Sequence, residues 1–280
     1  DSLKTATTSS NNIAIGLNAL EATTSGDRNV AIGVDALLTN TQGARSVAIG
    51  YAALDAQDYT TDTDAYNIGI GYEAGGAITT GVQNTLLGGL AGDALTDADF
   101  NIAIGYAALS SDTLGSRNVA IGRSALQSQN STTATNSYNN AVGYSAGSSI
   151  TTGVKNVIVG GLAGDAITTG ERNVYVGHTT GTSATDVDFN VGLGAEALFT
   201  NVNGSKNVAV GSGALFAMNP ATNTDTYNVA VGDVAGVSVT TGTFNTIVGG
   251  QAADALTEGT RNIAIGYGAL TSDTLGSKSV

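Results

Sequence analysis

Apolar and polar residues alternate in short bursts, and each burst ends on glycine. The first full one is Asn12-Ile13-Ala14-Ile15-Gly16, followed by Leu17-Asn18-Ala19-Leu20. The closing glycine returns at Gly33, Gly50, Gly71, Gly88, Gly105 and on to Gly266. Eleven of the fourteen intervals are 17 residues and three are 21. Each burst has the period of a strand with one face buried, and a β-branched run this short is a strand and not a helix. A strand copied at a fixed short period predicts a solenoid, in which each coil stacks on the last. The expectation is an all-β parallel β-solenoid of about 16 coils, forming one repeat domain over 1–280.

Each column of the repeat then has a reading. The first is Asn in all but two copies, Ser46 and Ser279. Stacked at ~4.8 Å, it predicts an amide ladder with a structural role, carried by Asn12, Asn29, Asn67, Asn84, Asn101, Asn118, Asn156, Asn173, Asn207 and Asn262. The second and fourth columns are aliphatic and are expected to fill the coil. The third is small: Ala in nine copies, and Gly69 and Gly192 in two more. Its exceptions are Leu86, Ile158, Tyr175 and Ile247; three of these sit in units carrying Gly89, Gly161 or Gly250 just past the repeat glycine. Bulk gained against bulk lost suggests a confined face, here expected to pack on a partner. Leu or Gly usually stands four residues past the glycine, with Leu inside the coil and Gly marking a tighter turn.

The residue before the Asn column is basic or aromatic almost throughout, from Arg28, Arg45 and Tyr66 to Phe244, Arg261 and Lys278, and holds eight of the ten basic residues. It predicts an edge ladder of alkyl stems and rings with cation–π contacts; the competing reading is a sugar-binding stripe. The 21-residue steps insert polar loops near 55–66, 127–138 and 216–227. Loops on a rigid scaffold carry function, so Tyr59, Asp62, Thr133, Asn136, Thr222 and Asn223 are candidate receptor-facing residues.

Composition narrows the function. A net charge of −13 argues against nucleic acid and anionic membranes as partners. Cysteine is absent, which removes disulfides and thiol chemistry. No apolar run approaches the ~20 residues of a membrane helix, so no membrane insertion is expected. The aspartates Asp55, Asp58, Asp62 and Asp64, and Asp93, Asp97 and Asp99, have spacing that could recruit calcium, which needs six to eight oxygens. They hold no single column, so no cofactor is expected. His178 has no fixed polar partner in the pattern and reads as a surface residue. No column supports catalysis, so the chain is not expected to be an enzyme. The end at Leu275-Gly276-Ser277-Lys278-Ser279-Val280 falls in mid-repeat, which reads as a fragment of a longer polypeptide.

The units Ser46-Val47-Ala48-Ile49-Gly50-Tyr51-Ala52-Ala53, Asn118-Val119-Ala120-Ile121-Gly122 and Asn262-Ile263-Ala264-Ile265-Gly266 resemble the S-V-A-I-G head repeat of YadA-like trimeric adhesins. They are also similar to the N-x-A-I-G-x-x-A-L repeats of phage tail fibres. The resemblance implies a left-handed β-roll assembled as a homotrimer, with the small column toward the trimer interior. The adhesin heads repeat every 14 residues and this chain every 17, closer to the second group. The implied function is an extracellular fibre segment, a phage tail-fibre or adhesin shaft presenting a host-binding element to a surface receptor or glycan. Two other readings are a self-assembling extracellular filament subunit and an ice-binding solenoid. The latter would need a regular Thr array, whereas the T-T-G motifs drift in position.

Overall fold

The computed structural model describes residues 2–280 and is built from strands and turns, with no helix among them. It divides into two compact units, Asp1–Asn139 and Asn140–Val280, each a parallel β-solenoid. In the first, seven three-residue strands pair in parallel: Ile13–Ile15, Val30–Ile32, Val47–Ile49, Ile68–Ile70, Thr85–Leu87, Ile102–Ile104 and Val119–Ile121. In the second there are eight: Asn140–Val142, Val157–Val159, Val174–Val176, Val191–Leu193, Val208–Val210, Val229–Val231, Thr246–Val248 and Ile263–Ile265. Register is in step throughout, so column faces column: Ala14 on Ala31, Ile15 on Ile32. The fifteen strands give fifteen turns, close to the expected sixteen.

Turning a 17-residue coil takes sharp corners, and left-handed residues make them. Arg45 (φ 62°), Ala52 (φ 48°) and Leu54 (φ 50°) mark the three in one coil, and the same columns repeat it elsewhere. The repeat glycine has a different reason to be glycine. Gly88 has φ +135°, and a Cβ there would lie 2.6 Å from the Gly105 carbonyl oxygen of the next coil. Backbone conformation and coil spacing both exclude a side chain.

The two faces of the strands are the reverse of the expectation. The Ala column points into the coil: Ala31, Ala48, Ala103, Ala120, Ala141, Ala209 and Ala230 are fully buried. Asn shares that interior, and Leu86, Ile158, Tyr175 and Ile247 are buried there too. The aliphatic second and fourth columns point outward and are half-buried to exposed, as at Ile15, Leu87, Val159 and Val176. The coil is too narrow for two β-branched side chains per strand. It takes Ala and a hydrogen-bonded amide from the strand, and Ala19, Ala36 or Ala53 with Leu20, Leu37 or Leu54 from the opposite wall.

The matching glycines are therefore not Gly89, Gly161 and Gly250, which lie outside. Interior bulk is balanced four residues past the repeat glycine. A Cβ on Gly92 would lie 2.8 Å from Leu86, and one on Gly181 would lie 2.7 Å from the Tyr175 ring. Two coil types follow. Where that position is Leu (Leu37, Leu54, Leu109, Leu126, Leu198), the facing wall buries a polar side chain (Asn40, Gln57, Asp112, Gln129, Asn201), with Leu215 and its buried Met218 the exception. Where it is Gly (Gly75, Gly92, Gly147, Gly164, Gly236), the wall buries Ile78, Leu95, Ile150, Ile167 or Val239. Native packing density is kept by moving the apolar mass across the coil.

Candidate functional site

Four surfaces and one interior ladder carry the candidate chemistry. The ladder uses both ends of each amide. Asn84 Oδ1 accepts the backbone N–H of Asn101 at 3.0 Å, and Asn84 Nδ2 donates to the Ala98 carbonyl at 2.7 Å. Asn12, Asn29, Asn67, Asn101, Asn156, Asn173, Asn207 and Asn262 likewise accept the backbone N–H one coil on, at 2.8–3.1 Å. Asn118 Oδ1 accepts from Asn139, but Asn118 Nδ2 is buried without a partner. Apart from Asn12 these amides are buried among coil atoms, or nearly so, and present nothing to a ligand.

The first surface is the strand face. Twelve of fifteen second-column residues and all fifteen of the fourth are aliphatic, and all lie on the outside. Ile13, Ile15, Ile68, Leu87 and Ile102 in the first unit, and Val142, Val159, Val176, Val248, Ile263 and Ile265 in the second, each keep a third or more of their surface exposed. Single exposed aliphatics are ordinary; contiguous rows on a sheet are not.

The second surface is the cation–aromatic edge. Arg45 lies over Tyr66 at 5.5 Å, Arg117 over Phe100 at 4.7 Å, Arg172 over Phe189 at 5.2 Å, and Lys206 over Tyr227 at 5.1 Å. Tyr227 and Phe244 stack at 5.5 Å, and Arg261 covers Phe244. These ring faces are taken by neighbours in the column, so a sugar would find mainly their edges.

The third is the set of insertions, each pinned at its root. Thr63–Asp64 pairs with Gly43–Ala44, Thr135–Asn136 with Gly115–Ser116, and Thr224–Asp225 with Gly204–Ser205. The last residue of each insertion strand then grips the basic edge residue one coil earlier: Arg45 Nε to Asp64 at 2.7 Å, Arg117 Nε to Asn136 at 2.9 Å, Lys206 Nζ to Asp225 at 2.6 Å. The carboxylates of Asp64 and Asp225 hold Arg45 and Lys206 above their ordinary basicity. Asp62, Thr133, Asn136, Thr222 and Asn223 are exposed. Tyr59 is not: it is 5% exposed, and its hydroxyl donates to the Gly81 carbonyl at 2.8 Å. It belongs to a buried polar network with Gln57 and Asn67, and burial pushes its hydroxyl well above the usual tyrosine range. Its counterparts Ser131 and Pro220 are also buried, so this position of each insertion is a root and not a tip.

The fourth surface is a threonine column that sequence spacing hid. Counted by coil, Thr24, Thr41, Thr79, Thr96 and Thr113 in the first unit, and Thr151, Thr168, Thr185, Thr240, Thr257 and Thr274 in the second, share one position. The 21-residue steps make it look like drift. Each hydroxyl donates to the next threonine's carbonyl where one follows, as Thr96 to Thr113 at 3.1 Å and Thr257 to Thr274 at 2.8 Å. Asp58, Asn130, Val202 and Asn219 interrupt the column.

The acidic residues hold no metal centre: among the described residues, no group of three or more His, Asp or Glu could hold an ion. Asp55 and Asp93 have carboxyl groups raised above the ordinary 3.8, first by desolvation and then by neighbouring acids such as Glu73. His178 is exposed. Among the described residues, no helix is long and apolar enough to cross a membrane. The fold and its surfaces define a parallel β-solenoid repeat protein. No protein-family model matches the chain, and neither a curated protein nor a solved structure matches it.

Proposed function

We propose that the chain is a structural and adhesive fibre segment, a shaft of the tail-fibre or adhesin kind, which works extracellularly as a homotrimer and presents its insertion loops to a host surface. The observation that supports this is the outward Val and Ile face. A sheet face this apolar needs cover, and copies of the same chain in parallel would set column against column. The reading moves the partner contact from the Ala column, which fills the coil, to the aliphatic columns. Host-surface contact falls to the exposed tips at Asp62, Thr133, Thr222 and Asn223. The shaft itself needs no cofactor and no catalytic group. Sedimentation equilibrium of the 27.7 kDa chain tests it: a trimer mass is expected, and a folded monomer at micromolar concentration overturns the assembly.

A further inference from the structure

Gly89, Gly161 and Gly250 have no structural reason to be glycine. Unlike Gly88, none has a positive φ. A Cβ on Gly89 would meet only the edge of the Tyr106 ring, at 3.6 and 4.0 Å, and one on Gly161 only His178, at 3.7 Å. These are ordinary contact distances, so a larger side chain would fit without strain. Each glycine opens a notch in the outer column that follows the repeat glycine, once per super-repeat.

The notch at Gly89 lies between two rings. Tyr72 is one coil before it and Tyr106 one coil after, each 54% exposed. At the strand spacing the two rings stand ~9.6 Å apart along the stack. Offset stacking places ring centroids ~4.5–7 Å apart, so the gap suits one further ring and no more. Both tyrosines are steadied from the far side. Tyr51 stacks on Tyr72 at 5.5 Å with 11° between the planes, and the Arg123 guanidinium sits over Tyr106 at 6.0 Å. The Glu73 carboxylate stands beside the Tyr72 hydroxyl and pushes its ionisation up, which sets an acceptor near the rim.

We propose that the Gly89 notch is a binding site for a single pyranose ring, clamped between Tyr72 and Tyr106 with Glu73 accepting from its hydroxyls. A pyranose has two C–H faces for the tyrosines and an equatorial belt of hydroxyls for the polar rim. A flat aromatic guest would leave that rim unused. The site is separate from the shaft reading, which sedimentation tests on its own.

Saturation-transfer-difference NMR on the full chain tests it, with methyl β-D-glucopyranoside, methyl β-D-galactopyranoside and N-acetylglucosamine as sugar probes and p-cresol as the aromatic probe. Transfer to the ring protons of at least one sugar is expected. It should fall about tenfold in Gly89→Leu, which fills the gap, and in Tyr106→Ala, which removes one wall. Circular dichroism melts identify any variant that fails to fold, and Tyr72→Ala then supplies the same reading. Absence of transfer to all three sugars, transfer that survives Gly89→Leu, or transfer to p-cresol alone overturns the proposal. So does a Gly89→Leu chain whose sedimentation differs from the wild type, since the notch would then lie under a packed copy.

Discussion

Val176→Asp separates an assembly face from a merely exposed one. Val176 is 36% exposed in the single chain, so a copy packed on it would remove about a third of its surface from water. At about 1.5–3 kcal/mol for burying a whole aliphatic side chain, that third is worth about 0.5–1 kcal/mol. The aliphatic residues of the two outward columns number twelve and fifteen. At the lower figure, the eleven of them that keep a third or more of their surface exposed amount to roughly 5 kcal/mol per protomer, against an association cost of about 4–15 kcal/mol. Assembly on this face is therefore a near balance, and one misplaced charge decides it. A carboxylate buried there without a partner costs several kcal/mol in each protomer. In the free chain the same aspartate faces water and costs only the strand preference, under about 1 kcal/mol. Sedimentation equilibrium should then show Val176→Asp dissociated where the wild type is trimeric, by orders of magnitude in dissociation constant. The circular dichroism spectrum should stay that of the folded solenoid. A Val176→Asp chain with the wild-type mass would refute the reasoning.

Four further perturbations test the interior. Gly88→Ala should lower stability by more than about 1–3 kcal/mol, the cost of the backbone conformation alone, because the new methyl also meets the Gly105 carbonyl; a urea titration reads it. Asn101→Ala strands two buried groups, the Asn118 N–H and the Gly115 carbonyl, and should cost about 2–6 kcal/mol in the same titration. Tyr175→Ala and Gly181→Leu should each destabilise alone, one by a cavity and the other by a clash. Together they restore the interior Ala and Leu pairing seen at Ala48 and Leu54, with a favourable coupling of about 0.5–3 kcal/mol in a double-mutant cycle. Asp55 and Asp93 have raised carboxyl groups, so folding favours their protonated forms. The stability they contribute is full below 3.8 and declines as pH rises through their folded values. Calorimetry should therefore show Asp55→Asn and Asp93→Asn melting above wild type at pH 7, with the gain gone below pH 3.8.

The inside and outside of the coil were harder to read than the coil itself. Period alone makes the solenoid plain, because no other arrangement reuses Asn-Val-Ala-Ile-Gly every 17 residues. Alternation, however, says only that a strand has two faces, and hydropathy argues for Ile15 and Val176 inside and Ala31 outside. Volume decides otherwise: a coil closed by left-handed corners at Arg45, Ala52 and Leu54 leaves room for Ala and a tied amide. The decisive signal was in the sequence, in a pair of columns that change together. Leu54 goes with Gln57, and Gly92 goes with Leu86 and Leu95, an exchange that makes sense only if those columns share one small interior. Once Ala31 and its equivalents are inside, the aliphatic columns have no fold-level use, since the coils stack through backbone hydrogen bonds and the ladder. Aliphatic residues held at 27 outward positions are then best explained by what lies beyond the single chain. The roots at Tyr59, Ser131 and Pro220 follow the same logic: a residue beside a polar loop in sequence is buried because the insertion must leave and rejoin a coil whose spacing does not change.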